Sequence, residues 1–169
     1  LDSDTTSKSL KIDRAIRVVF VNGVYNAKKS TRNMPEYIQV GKLSELATKN
    51  PDILEKNLGK LAKNTDSGFI AINTAFSETA IPILIPDNTE LRHHIPIEYF
   101  SSAEKTIGQP RVLVDLGTNS KATIVEHVSG TVPAITNAVT EIHCSAGSNL
   151  TYCRLQEEHI EAWHTAVQY

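Results

Sequence analysis

Sulfur, tryptophan and long greasy runs are scarce in this sequence: 169 residues hold two cysteines, one methionine and one tryptophan. No apolar run approaches the roughly 18–20 residues of a membrane-spanning helix. Two cysteines make no disulfide framework, which favours a reducing compartment. There is no excess of basic charge either. Seventeen Lys and Arg against nineteen Asp and Glu give a net charge of −2, without the electrostatic footprint of a nucleic-acid binder. Phosphate-cradling motifs are missing: neither G-x-x-x-x-G-K-[ST] nor G-x-G-x-x-G occurs. The G-x-S-x-G nucleophile elbow is absent too. The opening "LDSDTTSKSLK" lacks the apolar core of a signal peptide and reads as a polar tail over residues 1–16. Its missing Met reads as the mark of a processed or cut chain. Asn149-Leu150-Thr151 is a glycosylation triplet, read as unused in a cytosolic protein.

What is present describes an ordinary soluble chain, 40% apolar and 21% charged. At this length about 70% of the unfolded surface is hidden on folding, enough for one domain and a small second lobe. The first half carries mixed signals. "RVVFVNGVYN", residues 17–26, reads as a strand, a turn at Asn22-Gly23 and a short return strand. From 42 to 76 the spacing becomes helical. Leu43, Leu46 and Ala47 fall at i, i+3, i+4. Asn50 is placed to cap a helix that has Pro51 in its first turn, Leu54, Leu58 and Leu61 as its stripe, and Gly59 to end it. A third helix is expected near 66–76, with Asp66 or Ser67 as cap and Phe69, Ile72, Asn73 and Phe76 at helical spacing.

After Ala80 the helical spacing stops and three segments repeat. They are "IPILIPDNTELRHHIPIEY" (81–99), "RVLVDLGTNSKATIVEHV" (111–128) and "AVTEIHCSAGSNLTYCRLQ" (138–156). Matching Ser120 to Ser148 gives a shift of 148 − 120 = 28, and Asn88 to Asn119 a shift of 119 − 88 = 31. Under these shifts Ile81, Ile83 and Ile85 overlay Val112, Val114 and Leu116, then Thr140, Ile142 and Cys144. Ala122, Thr123 and Val125 overlay Leu150, Thr151 and Cys153. The first unit stays in step through Leu91, and one extra residue brings Ile95 onto Val125. Strand side chains alternate between faces, so units that bury the same row can stack as rungs of a β-solenoid. A jelly roll or sandwich would not need shared apolar positions.

The overlay assigns roles to the tempting residues. Cys144 and Cys153 stand where neighbouring rungs have Leu116 and Val125, so both are read as small hydrophobes in interior columns. Their separation, 153 − 144 = 9, fits no common zinc pattern. His143 overlays Asp115 and is read as outward and solvated; His127 shares its column with Leu155 and is read as a buried neutral histidine. His93 and His94 read as turn or surface residues, Asn119 and Asn149 as turn residues tolerant of left-handed backbone. Asn73 is read as a cap or a bridge to the β part. Asp115 and Glu141 are read as outward solvating carboxylates one rung apart, and Glu157-Glu158 as a surface pair. No catalytic, cofactor or metal residue is assigned.

These pieces, taken in order, resemble the SufB/SufD family of iron–sulfur cluster assembly proteins, and SufD-type members in particular. The resemblance rests on "RVVFVNGVYN", "VGKLSELATKNPDILEKNLGKLA", "FIAINTAF", "RVLVDLGTNSKATIVEHV" and "TNAVTEIHCSAGSNLTYCRLQEE…AWH". It implies an α+β chain: a strand-hairpin and helical lobe over 17–80, then the first rungs of a right-handed parallel β-helix over 81–169. It implies a non-catalytic scaffold subunit working beside SufB-like and SufC-like partners, in the cytoplasm or, in a eukaryote, the plastid stroma. No cofactor is expected in this piece, although a transient iron–sulfur cluster belongs to the full complex. The family's SufC-docking helices, and the histidine associated with cluster assembly, lie in a C-terminal region beyond Tyr169, so the chain reads as an N-terminal fragment. Nucleic acid and membrane are not expected partners. Its last rung is expected to self-associate or be covered through unpaired backbone. The alternative function is a carbohydrate-active β-helix enzyme, a lyase or hydrolase. A hexapeptide acyltransferase fits less well, since its rungs run to roughly 18 residues.

Overall fold

The computed structural model describes residues 16–31, 35–63, 65, 67–76 and 79–169. The polar tail before residue 16 and the candidate cap Asp66 lie outside the described residues. Seven strands form the main run: β4 (Ile81–Ile85), β5 (Ile95–Ser101), β7 (Arg111–Leu116), β8 (Lys121–Gly130), β9 (Ile135–Cys144), β10 (Asn149–Glu157) and β11 (Trp163–Gln168). Preceding them are β1 (Val18–Val21), β2 (Val24–Tyr25) and β3 (Gln39–Val40), while β6 (Ile107–Gly108) is a short strand before β7. One sheet runs β10-β8-β5-β1-β2 and the other β11-β9-β7-β4-β3. From β4 onward the long strands alternate between the two sheets, and all their pairings are parallel. That is a β-solenoid-like coil, in which each turn adds one strand to each sheet.

The register follows the sequence repeat. β4 meets β7 at a shift of 31, Ile81 on Val112 and Ile85 on Leu116. β9 and β10 meet β7 and β8 at a shift of 28. The interior rows are β-branched and leucine side chains, which pack well on parallel strands buried from both sides. Ile81, Ile83, Val112, Val114 and Leu116 are fully buried. One pairing differs from the sequence reading: Ile95 pairs with Ile124, not Val125. Glu90 still bridges Lys121 at the shift of 31, so the corner from 90 to 95 holds two extra residues rather than one. A slip of one residue exchanges the faces of a strand. Ala122, Ile124 and Val128 therefore line the interior, and Val125 points outward, half-buried.

The corners use left-handed backbone. Asn22 (φ 51°) and Gly23 (φ 79°) make the tight turn of the β1–β2 hairpin, as their sequence predicts. Asn88 and Asn119 hold φ 55° in successive coils, and Gly147 (φ 70°) takes the matching place in the third. Asn149 is thus not a turn residue. It opens β10 and donates its N–H to the Ser120 carbonyl. Coils approach closely at these corners. A Cβ on Gly117 would lie 2.4 Å from the Asp87 backbone nitrogen.

Three short helices, α1 (Leu43–Leu46), α2 (Pro51–Asn57) and α3 (Gly68–Ala75), join β3 to β4. Leu46 and Leu54, with Leu43, Ile53 and Leu58 beside them, pack on Leu84 and Leu113. The helices therefore cover the outer face of the second sheet. Asn50 sits before Pro51, but its side chain bonds Gln39 at 2.7 Å instead of capping α2. Gly59 (φ 73°) follows the end of α2, and Ser67 caps α3 by accepting the Phe69 N–H. In α3 the buried side is Ile70 and Asn73, while Phe69, Ile72 and Phe76 stay exposed. The N-terminal strands join the same two sheets: β1 pairs with β5 in parallel, and β3 with β4 antiparallel.

Candidate functional site

The interior of the coil changes character along its axis. In the first coils it is apolar. Further on, the column Val18–Ile97 continues as Glu126 and Arg154, and the column Ile81–Val112 continues as Thr140 and Gln168. Glu126 is fully buried. Its Oε1 accepts Arg154 Nε at 2.6 Å, and its Oε2 accepts the Tyr152 hydroxyl. A buried carboxylate is tolerable only when paired and hydrogen-bonded, which these two donors achieve. Burial, and then the Glu126 charge, raise the Tyr152 and Tyr99 phenols above their ordinary range. Both stay protonated at neutral pH, and Tyr152 serves as a donor. The Tyr99 hydroxyl and Thr140 Oγ1 are buried nearby with unused hydrogen-bonding capacity. At the mouth, His164 Nδ1 lies 3.0 Å from Glu158 Oε2. Burial raises the Glu158 carboxyl, but His164, Gln156 and Arg154 outweigh it and hold the group below its usual range.

The outer face of the second sheet is polar as well, and it too is covered. Glu141 is not solvated, contrary to the sequence reading. It lies fully buried under the segment after α2, which the sequence did not place over the sheet. Glu141 Oε2 accepts Arg111 Nη2 at 2.7 Å and the Gly59 N–H at 3.0 Å. Its Oε1 accepts the N–H groups of Leu61 and Ala62, each at 3.2 Å. Asn73 bridges α3 to the coil, as expected, donating to the carbonyls of Pro110 and Asn137 at 3.1 and 2.8 Å. Asp115 Oδ1 accepts Asn57 Nδ2 at 2.9 Å, and His143 Nδ1 lies 2.9 Å from the same oxygen. His143 is therefore half-buried and partnered rather than freely solvated. Beside Asp115 a cavity of about 430 Å³ is lined by Tyr37, Gln39, Asn50 and Asp87.

On the first sheet His127 is buried as expected, but it faces away from the interior, in register with Glu98 and Leu155. Its Nε2 lies 3.0 Å from Glu157 Oε2, and Glu98 pairs with Arg17 at 2.5 Å. His93 and His94 sit in the bend before β5, on a cavity of about 260 Å³.

Both cysteines are exposed, which corrects their reading as interior fillers. Cys144 does pair with Leu116 and Cys153 with Val125. Cys144 occupies the interior column, yet it ends β9 beyond the reach of β11, whose last pairing is Gln168 with Thr140. Cys153 follows Val125 outward, on the edge strand. His143 and Cys144 are consecutive strand residues and point to opposite faces. The described residues contain no group of three or more His, Cys, Asp or Glu arranged to hold a metal ion. Sequence reasoning missed Glu126, Tyr152 and Arg154. The signal was present, since the shift of 28 sets Arg154 directly on Glu126.

A stacked parallel coil with a charged interior column and a helix-covered face is a β-solenoid-like architecture. Comparison with known families is specific. The SufBD N-terminal region model matches residues 10–97, and the SUF system FeS cluster assembly SufBD core domain model matches residues 99–169. The chain belongs to the SufBD family. It is 28% identical to the iron-sulfur cluster assembly SufBD family protein slr0076 of Synechocystis, over 89% of this chain and 36% of that protein. It is 29% identical to SufBD family protein ABCI9 of Arabidopsis thaliana, over 79% of this chain and 30% of that protein. It is 28% identical to the chloroplastic ABCI8 of the same plant, over 68% of this chain and 21% of that protein. The chain thus spans little more than a third, at most, of the relatives it matches. Among the described residues no helix is long and apolar enough to cross a membrane.

Proposed function

We propose that this chain is the N-terminal part of a SufD-type scaffold subunit, supporting SufB-like and SufC-like partners while nascent clusters are built. Its role is non-catalytic: it holds geometry, and the chemistry belongs to the partners. The observation that carries this reading is the succession of the two SufBD family models over residues 10–97 and 99–169. We place residues 17–80 as the N-terminal strand-hairpin and helical lobe and residues 81–169 as rungs of a right-handed parallel β-helix. The iron–sulfur cluster is cargo of the complex rather than a resident group of this segment. The cytoplasm is the proposed location, or the plastid stroma in a eukaryote, consistent with the chloroplastic relative.

A pulldown with SufB-like and SufC-like proteins tests the assignment, comparing this chain with a longer one that extends to full family length. The longer chain should retain both partners. If neither length retains a SufB-like partner, the SufD-type role is wrong. Turnover of polygalacturonate by the chain would replace it with the carbohydrate-active alternative.

A further inference from the structure

The first coil turns one corner differently from the second. Glu90 meets Lys121 at a shift of 121 − 90 = 31, and Ile95 meets Ile124 at a shift of 124 − 95 = 29. The first coil therefore carries two more residues between these points, and the bend that takes them up is Arg92-His93-His94. This bend walls the cavity of about 260 Å³ noted above. The cavity floor is apolar: Ile16 and Ile38, each only 3% exposed, with Leu91 beside them. Tyr37, more than half exposed, forms another wall. An insertion at a corner leaves the stacked strands undisturbed, which is where a solenoid can add a site without cost to its core.

The charges of the bend are uncommitted. Arg111, Lys121 and Arg154 each face a carboxylate. Arg92, His93 and His94 make no hydrogen bond or ion pair with the described residues. Glu90 is the one carboxylate among the lining residues, and it turns to Lys121 at 3.6 Å. A guanidinium and two imidazoles thus stand together over an apolar floor, with a phenol beside them. A cation would meet Arg92; an oxyanion would meet a planar fork of donors and two ring nitrogens. We propose that this cavity binds a small organic oxyanion, its charged head on Arg92, His93 and His94 and its apolar body on Leu91 and Ile38 against Tyr37. Ligand pockets run from about 300 to 1,000 Å³, so the occupant is small: one ring or a short chain with one acidic group. A carboxylate and a phosphate ester share this chemistry. Imidazole is the side chain that gains charge between about pH 8 and pH 5. With Arg92 constant and Glu90 held by Lys121, binding should strengthen as pH falls.

Ligand-observed NMR on the chain at full family length reads the site with two probes, benzoate and phenyl phosphate. Both should bind saturably at pH 6, with Kd of about 0.1–1 mM for so small a ligand. Benzyl alcohol, a ring without charge, and inorganic phosphate, a charge without a ring, should each bind at least about tenfold more weakly. Benzoate keeps a single charge from pH 6 to pH 8, so its loss of affinity over that range isolates the histidines. Arg92→Gln should weaken benzoate about tenfold. His93→Gln/His94→Gln should abolish the difference between pH 6 and pH 8. Lys105→Gln, at an exposed cation on another corner, should change nothing. Tighter binding of phenyl phosphate assigns a phosphate ester and tighter binding of benzoate a carboxylic acid; either order supports the site. The absence of saturable binding by both probes overturns the proposal, and this parent measurement stands whether or not a variant folds. Binding that survives Arg92→Gln and His93→Gln/His94→Gln together also overturns it, as does inorganic phosphate binding as tightly as phenyl phosphate. None of these outcomes bears on the SufD-type role, which the pulldown tests separately.

Discussion

Replacing Arg111 tests whether the buried pair with Glu141 fastens the segment after α2 to the coil. Both side chains are essentially inaccessible, 1% and 0% exposed. Arg111 gives Nε and Nη2 to Glu141 Oε2 at 3.1 and 2.7 Å, and Nη1 to Thr74 Oγ1 at 2.9 Å. Three backbone N–H groups, from Gly59, Leu61 and Ala62, complete the carboxylate's shell. Arg111→Met leaves that carboxylate buried with donors but no counter-charge. Breaking one side of such a pair costs about 3–5 kcal/mol. Glu141→Gln strands the guanidinium in the same way. The double variant Arg111→Met/Glu141→Gln removes both charges while the amide oxygen still accepts backbone N–H groups. It should be about 1–3 kcal/mol more stable than either single variant.

Urea unfolding followed by far-ultraviolet circular dichroism reads these differences. With a slope near 2 kcal/mol per molar urea, each single substitution should lower the midpoint by about 1.5–2.5 M. Arg111→Lys keeps the charge and loses the fork, so its loss should be smaller. Amide exchange adds a local readout: in Arg111→Met the Gly59, Leu61 and Ala62 N–H groups should exchange faster than the β7–β9 ladder. A single-variant shift under about 0.5 M, or a double variant no better than the singles, would show that charge pairing does not hold this segment.

Four other outcomes follow from the same geometry. Tyr152 has its folded pKa raised above 10.0, so the unfolded chain ionises first. Stability should be full below pH 10 and fall as pH rises past it, by about 1.4 kcal/mol per pH unit, and Tyr152→Phe should flatten that slope in alkaline urea titrations. Glu158 has the opposite sign: its folded pKa lies below 4.5, so its stabilisation is present above that pH and lost as pH falls through the folded value. Glu158→Gln should therefore reduce the acid sensitivity of the midpoint. Gly117→Ala forces a Cβ to within 2.4 Å of the Asp87 nitrogen and 2.6 Å of the Pro86 carbonyl carbon; it should cost about 2 kcal/mol or more in urea unfolding. Both cysteines should react with a thiol reagent in the folded state, and Cys144→Ser and Cys153→Ser should shift the midpoint by less than about 0.5 M; a protected thiol would contradict the exposed placement.

The stacking of this chain was legible because parallel coils repeat at fixed intervals. The shifts of 31 and 28 that align apolar residues in the sequence are the pairing registers of β4 with β7 and of β7 with β9. The hairpin at Asn22-Gly23, Pro51 at the start of α2, and the bridging role of Asn73 were legible for local reasons: a turn type, a missing N–H and a polar residue on a helix. Glu141 was not legible. Its backbone partners come from a segment 79 to 82 residues away, and nothing near Gly59 announces that its backbone will face a carboxylate.

The misplaced face of β8 is more instructive, because the missing information has a definite location. Period-two alternation states that two rows exist and leaves open which row is interior. Aligning Ile95 with Val125 puts the row of Val125 and Cys153 in the interior, but the corner before Ile95 holds one residue more than that alignment allows, and the second row, that of Glu126 and Arg154, lies inside instead. The second row lies inside because it also carries Ala122, Ile124 and Val128, and its charges neutralise each other. Glu126 meets Arg154 one coil away at 2.6 Å, with Tyr152 supplying the other donor. An opposite-charge match at the repeat interval is thus a better guide to the interior of this coil than apolarity at a single position.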